Sequence, residues 1–268
     1  MAITSNICAE FYEKGFVQLR SVVDVRECQK LILRMHELTE RACPNDRTQV
    51  FHAGENEHSK DDFFLRSANK IAFFFDKNSH GSIRRRKSNF YALNKVGHAL
   101  HSRCPVFKKF SHRDDFYQLV RTLGHKKPML IQSMFIFKQA NFGDEVPPHQ
   151  DASFLYTEPV SVIGLWFALE DADENNGCLW VLEGGHRGNL KNRFLRGPDK
   201  LVFDFPERVS WPKELFRPLP ARAGDAIILH GLLPHYSERN HSAKTRLAYT
   251  THFIDRTCHY PKTNWLNY

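Results

Sequence analysis

Nowhere in the 268 residues does an uninterrupted apolar run approach the roughly 20 residues that a membrane-spanning helix needs. The first sixteen residues, Met1 to Phe16, lack the basic stretch followed by an apolar segment that marks a secretory leader. No Cys-x-x-Cys pair is present: Cys8, Cys28, Cys43, Cys104, Cys178 and Cys258 are widely scattered, so neither a zinc ribbon nor a disulfide scaffold is indicated. Internal repeats, low-complexity tracts and a convincing linker are also missing. The closing Leu266-Asn267-Tyr268 is not the Ser-Lys-Leu type of peroxisomal address. These absences lead to the expectation of a cytoplasmic protein with reduced thiols and no membrane partner, built as a single domain over residues 1–268.

What is present fits a globular chain. Hydrophobic residues make up 41% and charged residues 25%, ordinary values that argue against disorder over most of the length. The 22 phenylalanines lean the prior towards β structure, because aromatic side chains suit the half-buried surface of a sheet. A formal charge of +8 is compatible with a nucleic-acid partner, an anionic substrate or a solvated surface, and does not choose among them. The basic run Arg84-Arg85-Arg86-Lys87 is read as a solvated loop.

Gly15 to Leu19 reads as a short strand. Asp24 and Glu27 then form a capping box opening a helix, with Val25, Cys28, Ile32, Met35 and Leu38 at helical spacing. Lys70 to Phe75 is a second strand. Asp114 to Leu123 is a second helix, apolar at Phe116, Leu119, Val120 and Leu123 and stopped by Gly124. Five short strand-like runs follow: Met129 to Lys138, Val160 to Leu169, Cys178 to Leu182, Ala226 to Leu229 and Arg246 to Phe253. Helices first and many short strands afterwards imply a mainly β (α+β) sandwich or jelly roll, with a helical buttress over about 1–127 and a jelly-roll core over about 128–256.

Fifteen histidines raise the question of a metal, since neutral imidazole suits iron, zinc, copper and nickel. An H-x-D triplet is expected by chance about once in such a chain, and two occur. His112-Arg113-Asp114 sits at the start of the second helix, where Asp114 serves as a cap or first-turn carboxylate. Its likeness to a kinase catalytic loop fails for want of a Gly-rich loop and a D-F-G partner. His149-Gln150-Asp151 follows Glu145-Val146-Pro147-Pro148, a stretch that cannot be helical, so the triplet is expected to be extended with His149 and Asp151 on one side. A third ligand is sought in Gly224 to His235, where His230 and His235 are both available. Two His and one carboxylate on one face leave three positions open, as in non-haem iron(II) oxygenases; zinc hydrolysis would use a similar set. Arg246 opens the last strand, and a buried guanidinium there needs an anion, either the far carboxylate of a 2-oxo acid or one of the 30 acidic side chains.

The ordered motifs His149-Gln150-Asp151-Ala152-Ser153-Phe154-Leu155-Tyr156-Thr157, Gly164-Leu165-Trp166, Asn176-Gly177-Cys178-Leu179-Trp180 and Gly184-Gly185-His186 resemble the phytanoyl-CoA dioxygenase family. Gln132-Ser133-Met134, Phe137-Lys138-Gln139 and Asn264-Trp265 agree, so the likeness spans nearly the whole chain. The resemblance implies a double-stranded β-helix (jelly roll, cupin-like) holding Fe(2+) through His149, Asp151 and His235, the last being the second His of an H-x-x-x-x-H pair. It implies 2-oxoglutarate anchored by Arg246, eleven residues beyond His235, with Lys95, Met134, Trp166 and Ser237 lining its pocket. The implied activity consumes 2-oxoglutarate and O2, gives succinate and carbon dioxide, and hydroxylates a C–H bond of an unidentified organic substrate, with ascorbate as a candidate reductant. One departure is Gly184-Gly185-His186, where relatives commonly carry Pro-Gly-Ser-His. Asp151 stands where halogenase relatives have a small residue, which argues against that chemistry. Two other readings remain: a protein of this fold that binds metal and 2-oxoglutarate without turnover, and, ranked last, a basic nucleic-acid-binding module.

Overall fold

In the computed structural model, residues 5–42, 50–51, 62–79, 88–197, 201–204 and 210–267 are described. They contain fourteen strands: β1 (Phe16–Leu19), β2 (Val50–Phe51), β3 (Ile71–Asp76), β4 (Leu93–His98), β5 (Pro128–Lys138), β6 (Val146–His149), β7 (Ile163–Ala168), β8 (Leu179–Val181), β9 (Phe194–Arg196), β10 (Leu201–Phe203), β11 (Arg217–Leu219), β12 (Ala226–His230), β13 (His235–Ser237) and β14 (Arg246–Asp255). The basic run Arg84 to Lys87 lies outside the described residues. No helix among them is long and apolar enough to cross a membrane.

Two sheets carry the architecture. An eight-stranded sheet has the order β1-β12-β7-β14-β5-β4-β3-β2, and a four-stranded sheet has the order β11-β8-β13-β6. From β5 onward the chain alternates between them: β5 and β7 lie in the large sheet, β6 and β8 in the small one, then β11 small, β12 large, β13 small and β14 large. This winding of antiparallel strands into two facing sheets is a double-stranded β-helix.

The two faces of the large sheet bury different things, as the period of two along each strand requires. Its outer face presents Phe135, Phe137, Leu165, Phe167, Leu247, Tyr249 and Phe253 to helix residues Met35, Phe107, Phe110 and Phe116, in one continuous apolar cluster. Its inner face joins Trp166, Ala168, Ile227, Leu229 and Ala248 to Leu179, Val181 and Leu219 of the small sheet. The last strand is buried along its whole length because both of its faces are covered.

Most of the expected elements are present within a residue or two. The first expected helix runs Val25–Ala42, but Val25 is 49% exposed and Leu31 completes the buried face instead. Asp24 Oδ1 accepts from Arg26 N at 2.7 Å, whereas Glu27 turns to an ion pair with Arg113, so only half of the capping box forms. Helix Asp114–Thr122 carries Asp114 and Asp115 in its first turn and ends at Gly124 with φ of +103°. The segment expected as a helical buttress also contributes strands: β1 extends one edge of the large sheet and β4-β3-β2 the other. Helices Ser5–Lys14, Leu100–Arg103 and Pro105–Ser111 had no clear periodic signal because their polar and apolar residues are intermixed.

Candidate metal centre

Strand β6 ends at His149, and β13 begins at His235, and the two residues pair directly across the small sheet. Direct cross-strand partners project to the same face, and the two imidazole centroids lie 4.3 Å apart. The extended stretch expected through Asp151 stops one residue early. Gln150 is still extended, but Asp151 opens a 3-10 turn, Asp151–Ser153, because Ala152 N is captured by Gly231 O at 2.9 Å. That turn swings the Asp151 carboxylate under the two rings. Asp151 Oδ1 lies 3.7 Å from His149 Nε2 and 3.8 Å from His235 Nε2. One donor atom from each of the three residues falls within 4.8 Å of the others, the geometry of three ligands around a single ion.

Both imidazoles are held in the tautomer that metal binding needs. His149 Nδ1 donates to Pro147 O at 2.9 Å and His235 Nδ1 to Leu233 O at 3.0 Å, so each ring keeps its Nε2 lone pair for the centre. Burial and the neighbouring His235 lower the pKa of His149 to about 4, leaving it neutral at pH 7. Burial by itself would raise the pKa of Asp151, but the imidazoles of His252, His235 and His149 reverse this and hold it well below the usual carboxylate range. A carboxylate with two imidazoles that each turn Nε2 towards it is a donor set suited to a borderline divalent cation.

His230 does not take part. Its Nδ1 accepts from Leu232 N at 3.1 Å, and its ring packs against His186 and Phe11, 5.1 and 5.7 Å away. The other triplet is equally structural: His112 Nδ1 pairs with the Tyr117 hydroxyl at 2.9 Å, and Asp114 lies in the first turn of its helix. The Gly184-Gly185-His186 turn is tied to the N-terminal helix, Gly184 N donating to Lys14 O and His186 Nε2 to Tyr12 O.

The inner face of the large sheet forms a ladder leading away from the three ligands. Its rungs, read across β5, β14 and β7, are Gln132–His252–Gly164, Met134–Thr250–Trp166 and Ile136–Ala248–Ala168, and the last rung pairs Lys138 with Arg246. Rungs are spaced by two residues, about 7 Å. Gly164 marks the metal end, since a Cβ there would stand 2.9 Å from Asp151 Oδ2. Arg246 starts three rungs away, but its guanidinium carbon lies 5.7 Å from the Trp166 ring, so the side chain reaches back to the rung beside the metal ligands.

That guanidinium is an unfinished ion pair. Arg246 is 1% exposed, and its Nε donates to Gly177 O at 3.0 Å, while Nη1 is buried without a partner. Burial lowers its pKa to about 10, and no salt bridge to it occurs among the described residues. On the same rung as Trp166, the buried Thr250 hydroxyl is also without a partner. A carboxylate lying between them would satisfy both, in a bidentate geometry that guanidinium favours.

The remaining expected residues lie on this surface. Met134 and Trp166 flank Thr250, and Lys95 pairs with Ile136, which places it on the inner face at the neighbouring rung. Lys95 is half-buried, its ammonium 5.0 and 5.2 Å from the Phe74 and Phe64 rings, and burial lowers its pKa to about 7. Ser237 is two residues beyond His235 on β13 and so shares its face. Sequence reasoning missed Gly164, Thr250 and His252. The signal for the last two was available, because residues 246, 248, 250 and 252 of one strand must face the same way.

Comparison with known proteins agrees with this geometry. The sequence model of the phytanoyl-CoA dioxygenase (PhyH) family matches residues 11–248. A phytanoyl-CoA dioxygenase of Arabidopsis thaliana is 38% identical over 273 aligned positions, covering 99% of this chain and 95% of the relative. The phytanoyl-CoA dioxygenase domain-containing protein 1 of Mus musculus is 41% identical over 260 positions, covering 92% of this chain and 88% of the relative. Among solved structures, EctD from S. alaskensis with 2-oxoglutarate and 5-hydroxyectoine superimposes with a TM-score of 0.67 at 15% identity, over 97% of this chain and 79% of EctD. The epimerase SnoN in complex with Fe3+, alpha ketoglutarate and nogalamycin RO gives 0.65 at 15% identity, over 96% of this chain and 85% of SnoN. At such identities these two likenesses concern the fold.

Proposed function

The chain belongs to the phytanoyl-CoA dioxygenase family, and from that premise we propose that it is an Fe(II)- and 2-oxoglutarate-dependent dioxygenase, converting 2-oxoglutarate and O2 to succinate and carbon dioxide while hydroxylating an organic substrate. The observation that carries this reading is the pairing of a three-donor face, His149, Asp151 and His235, with a buried guanidinium whose Nη1 is unsatisfied one rung away. Iron(II) bound there supplies the redox chemistry that links decarboxylation of the oxo acid to oxidation of a C–H bond.

The protein's own part in the reaction is binding, orientation and exclusion of water. Pro147 O and Leu233 O fix the two imidazoles so that their Nε2 atoms point at one place. Arg246 binds the far carboxylate of 2-oxoglutarate, assisted by the Thr250 hydroxyl. The five-carbon acid is then directed along the ladder towards the ligands, with Trp166 and Met134 as walls, and Lys95 and Ser237 at its sides. The organic substrate approaches past His149, whose side chain is 26% exposed against 6% for His235 and 10% for Asp151.

Purified protein given Fe(II), 2-oxoglutarate, O2 and ascorbate is expected to form succinate even without the organic substrate, at a rate above the protein-free control. Asp151→Ala is expected to abolish that formation. Absence of succinate from the wild type, or its persistence in an Asp151→Ala, His235→Ala double variant, defeats the proposal.

A further inference from the structure

Asp151 has two oxygens with different surroundings. Oδ1 faces both ligand imidazoles, at 3.7 and 3.8 Å. Oδ2 faces the other way, towards the inner side of the large sheet, where His252 Nε2 lies 3.3 Å from it without the alignment of a hydrogen bond, so that Oδ2 is buried and unpartnered. His252 is 5% exposed, and its other nitrogen, Nδ1, is buried without a partner. With Nδ1 unpartnered and the Asp151 carboxylate beside Nε2, a ring proton on Nε2 is the one that would meet an acceptor.

The sheet register makes this meeting possible. His252 pairs directly with Gly164 on β7, and a Cβ on Gly164 would stand 2.9 Å from Asp151 Oδ2 and 3.5 to 3.6 Å from the His252 ring. Any side chain at that position would push the carboxylate and the imidazole apart. Gly164 has ordinary backbone torsion, so it is needed here for space and not for conformation.

We infer that His252 is a positioning residue for the metal carboxylate: its Nε2, 3.3 Å from the buried and unpartnered Oδ2 of Asp151, is placed to donate to that oxygen once an ion draws Oδ1 to itself, and Gly164 leaves the room for it. The inference rests on the proposed function only in taking Asp151 as a metal ligand. It also links the two halves of the site. His252 and Arg246 are on one face of β14, so the strand that carries the guanidinium also sets the orientation of the metal carboxylate.

The test uses Mn(II) alone as the probe, titrated into the full-length apoprotein and followed by the electron paramagnetic resonance signal of the free ion, with circular dichroism as the check on folding. His252→Leu removes the donor and is expected to weaken Mn(II) binding about 10- to 100-fold, as losses of outer hydrogen bonds to ligands do. His252→Gln keeps an N–H at a similar reach and is expected to recover most of that loss, which a merely space-filling role would not predict. Should His252→Leu not fold, Gly164→Ala carries the test, with at least tenfold weaker binding expected. Binding by His252→Leu, or in its place Gly164→Ala, as tight as wild type overturns the inference, as does a glutamine variant no better than the leucine one. A wild type that binds Mn(II) but forms no succinate defeats the dioxygenase reading and leaves the inference standing; one that binds no Mn(II) defeats both.

Discussion

A guanidinium that is 1% exposed, with one nitrogen partnerless, is expensive to keep unless an anion completes it. Lys138, its direct cross-strand neighbour, shows what a finished buried cation looks like here: its ammonium donates to Asp144 O, Ser237 O and Glu238 O at 2.6, 3.1 and 2.6 Å. The contrast supports the proposed role of Arg246 as a binding group, whereas Lys138 is satisfied by the protein itself. Arg246→Met keeps the aliphatic stem and removes the charge. It is expected to raise KM for 2-oxoglutarate by about 10- to 100-fold, the size of a lost charge-assisted hydrogen bond at roughly 1.5–3 kcal/mol, with a smaller effect on kcat. Succinate formation against 2-oxoglutarate concentration measures both; an unchanged KM counts against the assigned role. At this scale residue type and spacing were enough to single out His149, Asp151 and Arg246 as candidates. The choice between His230 and His235 was not legible, because it depends on the turn Gly231 to Pro234, which carries the chain from the large sheet to the small one.

At the scale of the element, β14 organises the site, and its far end is fastened by Asp255. The Asp255 carboxylate accepts from Lys126 N, Lys127 N, Thr257 N and the Thr257 hydroxyl, at 2.5 to 3.1 Å. Burial opposes ionisation, but these hydrogen bonds prevail and lower its pKa from 3.8 to about 2. A folded-state value below the unfolded one means that the ionised carboxylate stabilises the protein above about pH 4, and that this contribution is lost as pH falls towards 2. The stability gap between wild type and Asp255→Asn, read from urea melts, is therefore expected to be on the order of 2 kcal/mol at pH 6 and to shrink steadily below pH 4. A gap that stays constant into acid would count against the hydrogen-bonded anion. The strands of the core were legible in sequence because alternate apolar residues report a half-buried face. Strand β4, Leu93-Asn94-Lys95-Val96-Gly97-His98, was not, since the positions opposite the inner-face residues Ile136 and Met134 are Lys95 and Gly97, which break the apolar alternation.

Across the whole molecule, the N-terminal helices and the outer face of the large sheet share one apolar cluster, so neither has a covered surface without the other. Phe107 sits at that junction, 0% exposed, its ring 5.0 Å from Tyr249 and 6.1 Å from Phe135. The expected behaviour is a single folding unit: far-ultraviolet dichroism and tryptophan fluorescence should report one coincident unfolding transition. Phe107→Ala should lower the stability by about 3–5 kcal/mol in both probes together. Two separated transitions, or a loss confined to one probe, would divide the chain into independent parts.

By itself the amino-acid sequence determined the mainly β class, the helix ends at Asp24 and Gly124, and the residue types able to hold a metal and an oxo acid, because these follow from local periodicity, capping and side-chain chemistry. Only the tertiary structure decided which of two histidines faces Asp151, where the Arg246 guanidinium comes to lie, and that Gly164 and His252 stand behind the carboxylate. Those depend on strand register between segments 80 to 110 residues apart, and register is set by the packing of both sheet faces at once, which no local pattern contains.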